Sequence, residues 1–331
     1  MAFGRRGRDP EASRRAEESL RAIEAGGLPL AARERLANVR AVGGSFTSNL
    51  STAEFLLIKQ AGFRPLSQVM GSCFYRIGWQ YMPGERAPGS YVPEGQMTPT
   101  GGYEYDSFGR RVYRGASFGQ VFELDVETHA WQEARRLALG RLAQEARLLG
   151  ADAVVAVKLQ RGSYDWGRNL IEFVAIGTAV ASEQYDLGEE PVLSNLSGQE
   201  LAELYASGYW PAGIIAGTAV VYVITGWQQK LGSGRFAPNQ ELQDYTQGIQ
   251  HARKVAASRV ESEARELEAA GLVGLKLEVA PREHEHEGSR SRRQKDLIVT
   301  VHALGTAIVE IDRPRHPPPV RIALSLNDPR G

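Results

Sequence analysis

Two stretches of this chain align without a gap: Ser48–Pro65, SNLSTAEFLLIKQAGFRP, and Ser194–Pro211, SNLSGQELAELYASGYWP. Both place a Glu three residues after the second Ser, as Ser51 and Glu54 do in the first copy. This spacing is a capping box, in which the two side chains satisfy free backbone N–H groups at a helix start. A Gly, an aromatic residue and a Pro then end each helix. The sequence therefore predicts the same short helix twice, the mark of an internal duplication.

The duplication continues in a long amphipathic helix, predicted over residues 127–149 and again over 241–269. Apolar residues fall at spacings of three and four, which gives each helix one stripe facing a core. The matching positions are Trp131, Ala134, Ala138, Leu142, Ala146 and Leu149 in the first copy and Ile249, Ala252, Ala256, Val260, Ala264 and Leu267 in the second.

Strands surround each long helix, one before it and two after it. They are Leu66–Trp79, Ala153–Leu159 and Ile171–Val180, and then Ala212–Trp227, Gly271–Leu277 and Leu297–Val309. The last two of each set are joined by short polar loops and predict an antiparallel hairpin. We therefore predict an α+β fold of two β-α-β-β modules, each an antiparallel sheet packed on one long helix, with added short capped helices. The boundaries are an Arg-rich arm (1–44), two modules (45–185 and 186–312) and a Pro-rich tail (313–331).

The segments EARLLGADAVVAVKL (145–159) and FVAIGTAV (173–180) resemble the YbjQ family, also called the heavy-metal-binding domain family. The resemblance covers about 65–180 and 211–309 and is fainter in the second copy. It implies a dodecin-like subunit that assembles into pentameric rings, and it implies metal binding. The duplication, the capped helices and the insertion 81–120 depart from the family pattern.

Bulk composition excludes several classes of protein. The 39 basic and 39 acidic residues balance, whereas a general nucleic-acid binder needs excess positive charge. The apolar run Ile214–Trp227 is shorter than a membrane-spanning helix requires. The N-terminus lacks the apolar stretch of a secretory signal, and a single cysteine fits a reducing compartment. We expect a cytoplasmic protein that binds neither nucleic acid nor membrane.

The candidate metal ligands are Cys73, His284 and His286. The two histidines alternate with Glu residues in a predicted hairpin loop, and such donors suit a divalent transition metal. Cys73 lies in a strand, where a ring of subunits would bring several thiols together; the second copy has Ala219 there. The alternatives are a buried structural thiol and a solvated, charge-mixed turn.

Lys158 and Lys276 interrupt apolar strands at matching positions of the two copies. One interpretation is a strand face open to solvent or to another subunit. The other is a set of lysines facing an anionic ligand.

No catalytic residue is predicted. Gly115–Gly119 matches the G-x-S-x-G nucleophile pattern, but a strand-like segment follows it instead of the required helix. Walker, H-E-x-x-H and dinucleotide-binding patterns are absent from the sequence. The sequence favours a non-enzymatic, oligomeric protein that binds a heavy metal or another small ligand.

The alternative function is a scaffold that recruits partners through residues 1–40 and 81–120. For residues 1–40, we favour a solvated, partly disordered tail with a helix at Ala12–Ala25. Further strands are expected at Val112–Tyr113, Val121–Val126 and Val320–Leu326. The expected partner is the chain itself, as five chains with ten modules. In the competing arrangement, the two copies pair within one chain about a pseudo-twofold axis.

Overall fold

The described part of the chain contains two sheets, one mixed and one antiparallel, each with a long helix across one face. The computed structural model describes residues 10–41, 46–80, 102–105, 111–114, 120–164, 169–182, 190–224, 239, 241–285 and 295–311. In chain order the elements are α1 (Pro10–Glu24), α2 (Leu30–Arg40), α3 (Thr52–Gln60), β1 (Phe63–Arg76), β2 (Gly102–Tyr105), β3 (Arg111–Arg114), β4 (Gln120–Glu123), α4 (Asp125–Leu149), β5 (Ala153–Tyr164), β6 (Leu170–Ser182), β7 (Val192–Leu193), α5 (Gly198–Ala206), β8 (Tyr209–Ile224), α6 (Gln243–Glu266), β9 (Gly271–Glu285) and β10 (Lys295–Glu310).

The two modules have the same topology. The first strand of each pairs antiparallel with the last, which pairs with the middle one, giving the orders β1-β6-β5 and β8-β10-β9. α4 packs on the first sheet and α6 on the second. The predicted α+β class, with equivalent long helices, is confirmed. None of the described helices is long and apolar enough to cross a membrane.

Both predicted capping boxes are present. The Ser51 and Ser197 hydroxyls each accept from the backbone N–H three residues on, and the Glu54 and Glu200 carboxylates accept from the backbone N–H of those serines at 2.7 Å. Each short helix is followed by a glycine with positive φ, as its sequence predicts.

Each long helix crosses its sheet at a glycine. A Cβ built on Gly71 would lie 1.9 Å from the carbonyl oxygen of Ala138, and one built on Gly217 would lie 1.9 Å from that of Ala256. Only glycine allows strand and helix backbones to approach this closely. The shared Gly and Ala positions therefore fix the same helix–sheet distance in both modules.

Polar side chains reinforce each crossing. The Glu145 carboxylate accepts from the backbone N–H of Met70 at 2.9 Å, and the Arg141 guanidinium donates to the carbonyl of Ser72 at 2.5 Å. The second module repeats both contacts with Glu263 to Ala216 and Arg259 to Thr218. Buried backbone groups need partners, and here the helix supplies them from matching positions.

The described strands of the insertion belong to the second sheet. β3 pairs with β4 as the sequence suggests, although the chain already enters α4 at Asp125. β4 then pairs with β8, so the full order is β2-β3-β4-β8-β10-β9. The expected strand at Val320–Leu326 and the rest of 81–120 lie outside the described residues.

The described part of the N-terminal arm forms two helices. α1 matches the predicted helix at Ala12–Ala25 and buries no residue. α2 packs on α4, with Leu36 buried and Arg35 Nη2 2.5 Å from Glu145 Oε2. The expectation of a solvated tail is therefore wrong for α2, because Leu36 is buried where α2 packs on α4.

Candidate functional site

The two modules contact each other within the chain through unlike surfaces. The parallel strand β7 leads into the second module and pairs with β5 of the first. Beyond it, the backbone N–H of Ala156 donates to the carbonyl of Leu196 at 2.7 Å. The copies thus pair within one chain, as one arrangement predicted, but without twofold symmetry.

Apolar side chains fill this junction. Val220, Tyr222 and Ile298 lie on the face of the second sheet opposite α6, and they share a buried cluster with Trp131 and Phe173 of the first module. The back of the second sheet therefore packs against α4 and β6 of the first module.

A cavity of about 180 Å³ lies in the junction and is rich in positive charge. Its charged lining residues are Arg135, Lys158, Arg161, Lys276 and Glu278, and its other lining residues include Phe173, Thr218 and His302. The first three cations come from the first module, and Lys276 comes from the second. The site exists only because the two modules are held together.

Both arginines are held by carboxylates of the second module. Arg135 is 11% exposed and lies 2.9 Å from Glu263, while Arg161 pairs with Glu278. Burial lowers the pKa of Arg135, an effect that Glu263 opposes, and burial also lowers the pKa of Arg161. The Nη1 atom of Arg135 is buried and makes no hydrogen bond within the described part of the chain.

His302 lies in the junction, where it is partly exposed, and it is neutral at pH 7. Burial, with the nearby charges of Arg161 and Arg135, lowers its pKa to about 3. Its Nδ1 lies 3.0 Å from the Thr218 hydroxyl, and its ring lies 5.0 Å from that of Trp131. A proton on His302 would add charge where positive charge is already concentrated.

Lys158 and Lys276, singled out by their matching positions, line the same cavity and are exposed. Sequence comparison of the copies missed Arg161 and His302, because Val279 and Val174 stand at the equivalent positions. Arg135 does have a match, Arg253, and this was the available signal for a third cation.

The structure does not gather the predicted metal ligands into one group. Cys73 is buried and packs among the residues beneath α4, where burial raises the pKa of its thiol. His284 lies on β9 with its ring 5.7 Å from that of Tyr222, and His286 lies outside the described residues. Among described residues, no three His, Cys, Asp or Glu side chains cluster closely enough to hold a metal ion.

Comparisons with known proteins agree with the repeat. A family model described as "Putative heavy-metal-binding" (YbjQ) matches residues 122–183 and 229–310. A protein of Mycobacterium tuberculosis named as an encapsulin nanocompartment protein is 31% identical over 264 residues, which cover 78% of this chain and 86% of that protein. A UPF0145 protein of Methanocella arvoryzae is 36% identical over 108 residues, 31% of this chain and 88% of its own length. No solved structure matches the chain significantly.

Proposed function

Since this chain belongs to the YbjQ family, in which it stands as a tandem duplication, we propose that it is a non-enzymatic assembly protein whose copies join head to tail. The contact between chains would use the two surfaces that join the modules within one chain. The helix-side surface of the first module comprises Leu124, Thr128, Val154, Val157 and Leu159. The strand-side surface of the second module comprises Ala216 and Val220 of β8 with Ala202 of α5, and all three are buried.

Each of these two surfaces has an exposed apolar counterpart in the other module. On the first module, the strand-side positions are Leu56, Met70 and Phe74, and all three are exposed. Phe74 is 58% exposed, whereas its equivalent Val220 is fully buried. An apolar patch of this kind marks a protein interface.

The helix-side surface shows the same contrast in reverse. On the second module its positions are Leu242, Thr246, Leu272, Leu275 and Leu277, and all are exposed. Leu275 is 54% exposed, whereas its equivalent Val157 is 3% exposed. The exposed apolar residues of the second module thus lie where a second chain would place its first module.

The outer edge of β9 supports the same arrangement. β5 is paired at that edge by β7, whereas β9 ends its sheet among the described strands. An open strand edge favours pairing with another chain. The equivalent of β7 in the next chain is the segment just before α3, which begins with the exposed Phe46.

A head-to-tail contact either closes into a ring or continues into a fibre. Modules alternate along such a ring, so whole chains fill only rings with an even number of modules. A ring of five chains and ten modules satisfies both this condition and the fivefold rings that the family resemblance implies. The relative named for an encapsulin nanocompartment supports assembly in general.

Light scattering after size-exclusion chromatography tests this proposal. The natural chain should have a molar mass that is a multiple of 36.3 kDa. Leu275→Arg and Phe74→Arg should each reduce the measured mass to that of one chain. When the two variants are mixed, each retains one intact surface, so they should form a dimer and stop there. Leu20→Arg, on exposed α1, serves as the control and should leave the mass unchanged. A natural chain that remains at 36.3 kDa would overturn the proposal.

Binding of a divalent heavy-metal ion is the second candidate function. The family description favours it, and Cys73, His284 and His286 are the proposed ligands. The head-to-tail contact proposed above would leave Cys73 beneath α4 of its own module, so the thiols of different chains would not meet. A metal held by Cys73 would therefore need other donors from the same module.

A further inference from the structure

We propose that the cavity between the two modules binds a small organic or inorganic oxyanion, with a phosphate or carboxylate group held by Arg135, Lys158, Arg161 and Lys276. This goes beyond the assembly function and does not depend on it, because every lining residue belongs to one chain.

Positive charge exceeds negative charge around the cavity. Four cationic side chains line it, and within the described part of the chain the two arginines are the ones paired with carboxylates, Glu263 and Glu278. Lys158 lies near enough to Glu54 to help lower the pKa of that carboxyl, but Glu54 is already engaged in its capping box. Among the described residues, two lysines thus remain in excess at the cavity.

The guanidinium of Arg135 offers a hydrogen-bond donor to a ligand in the cavity. Arg135 is nearly buried and lines the cavity, yet its Nη1 has no hydrogen-bond partner among the described residues. A charged N–H without a partner is costly to bury, and a ligand oxygen would remove that cost. Guanidinium groups also match the paired oxygens of phosphates and carboxylates in geometry.

The electrostatic potential inside the cavity also favours an anion. The charges of Arg161 and Arg135 both act on His302, even though each arginine has a carboxylate partner. Positive potential therefore persists inside the junction, where nearby low-dielectric walls strengthen its attraction for an anion.

Size limits the ligand class. A cavity of about 180 Å³ is comparable with the roughly 150 Å³ cavity that accepts benzene in another protein. The site therefore suits inorganic phosphate or a small mono- or dicarboxylate, and it is too small for a nucleotide.

Isothermal titration of the full chain tests the proposal, with inorganic phosphate and succinate as separate probes. Sodium chloride at matched ionic strength shows how much heat arises from screening alone. Binding of phosphate, of succinate or of both supports the site and assigns the preferred group. Absence of saturable binding by either probe overturns it.

Variants locate the binding. Lys158→Met with Lys276→Met should weaken binding at least about tenfold, since two charges leave the cavity and both side chains are exposed enough to tolerate the change. Lys59→Met with Lys254→Met removes the same charge from exposed helix positions elsewhere and should leave affinity within about twofold. Equal loss in both pairs would overturn the assignment. Repeating the titration on monomeric Leu275→Arg separates this result from the fate of the assembly proposal.

Discussion

Val157 of β5 and Leu275 of β9 occupy equivalent positions, yet the first is buried and the second is exposed. Inside the modules, equivalent residues make identical contacts, as Thr178 with Asn49 and Thr306 with Asn195 do. The difference at this pair of positions lies in what covers the outer surface. It shows that burial of the helix-side surface depends on having a module after it, and not on the sequence of the surface itself.

The most disruptive test of this equivalence is at the two crossing glycines. Gly71→Ala and Gly217→Ala should each cost about 3 kcal/mol of unfolding free energy, because the new Cβ meets a helix carbonyl that cannot move alone. Urea denaturation measures both. Gly140→Ala is the control, since a Cβ there meets nothing within 4 Å and should add about 0.5–1 kcal/mol. Clearly unequal losses at Gly71 and Gly217 would break the comparison.

Cys73 and Ala219 mark a chemical difference between the modules. If Cys73 contributes to a metal site, purified protein should retain Zn²⁺, Ni²⁺ or Cu²⁺ stoichiometrically, and excess metal at 100 times Kd should add about 2.7 kcal/mol of stability. Cys73→Ala makes the first module like the second and should abolish retention in elemental analysis. The His284→Ala and His286→Ala double variant tests the other candidate ligands. Natural protein without metal and without a thermal shift on metal addition would contradict the prediction.

The junction itself is tested by truncating the equivalent surface residues. Val157→Ala should cost about 2 kcal/mol, because it leaves a cavity between the modules. In dilute, monomeric protein, Leu275→Ala should change stability by less than about 0.5 kcal/mol. Chemical denaturation below the assembly concentration measures both. A large loss for Leu275→Ala under those conditions would show that β9 is already covered within one chain.

His302 distinguishes the second module from the first, where Val174 stands in its place. The unfolded histidine titrates near 6.5 and the folded one at about 3, so the unfolded state binds the proton first as pH falls. Stability is therefore fully present above pH 6.5 and is lost towards pH 3, by roughly 2 kcal/mol at pH 5. His302→Val should reduce this loss in denaturation curves measured at pH 7 and pH 5. An unchanged pH dependence would show that His302 is not buried in the neutral form.

The sequence predicted the elements that local patterns specify. Ser51 with Glu54 determines a helix start, and the spacing of Ala134, Ala138 and Leu142 determines a buried helix face. The partner of β4 was beyond reach, because β8 lies about a hundred residues further along and no local pattern encodes that pairing. Only some residues of the cavity could be predicted from the sequence. The two lysines match in an alignment of the copies, whereas Arg161 and His302 do not.

The pairing of β4 with β8 means that the boundary between the two copies in the sequence is not a boundary in the sheets. Leu124 donates its backbone N–H to the carbonyl of Val220 at 2.8 Å, and Val121 belongs to the buried cluster of the second sheet. A cut near residue 185 would separate the two copies as the sequence draws them. It would also remove three strands, β2, β3 and β4, from the second sheet and leave the edge of β8 open to aggregation. Expressing either copy alone should therefore expose surface that the whole chain covers.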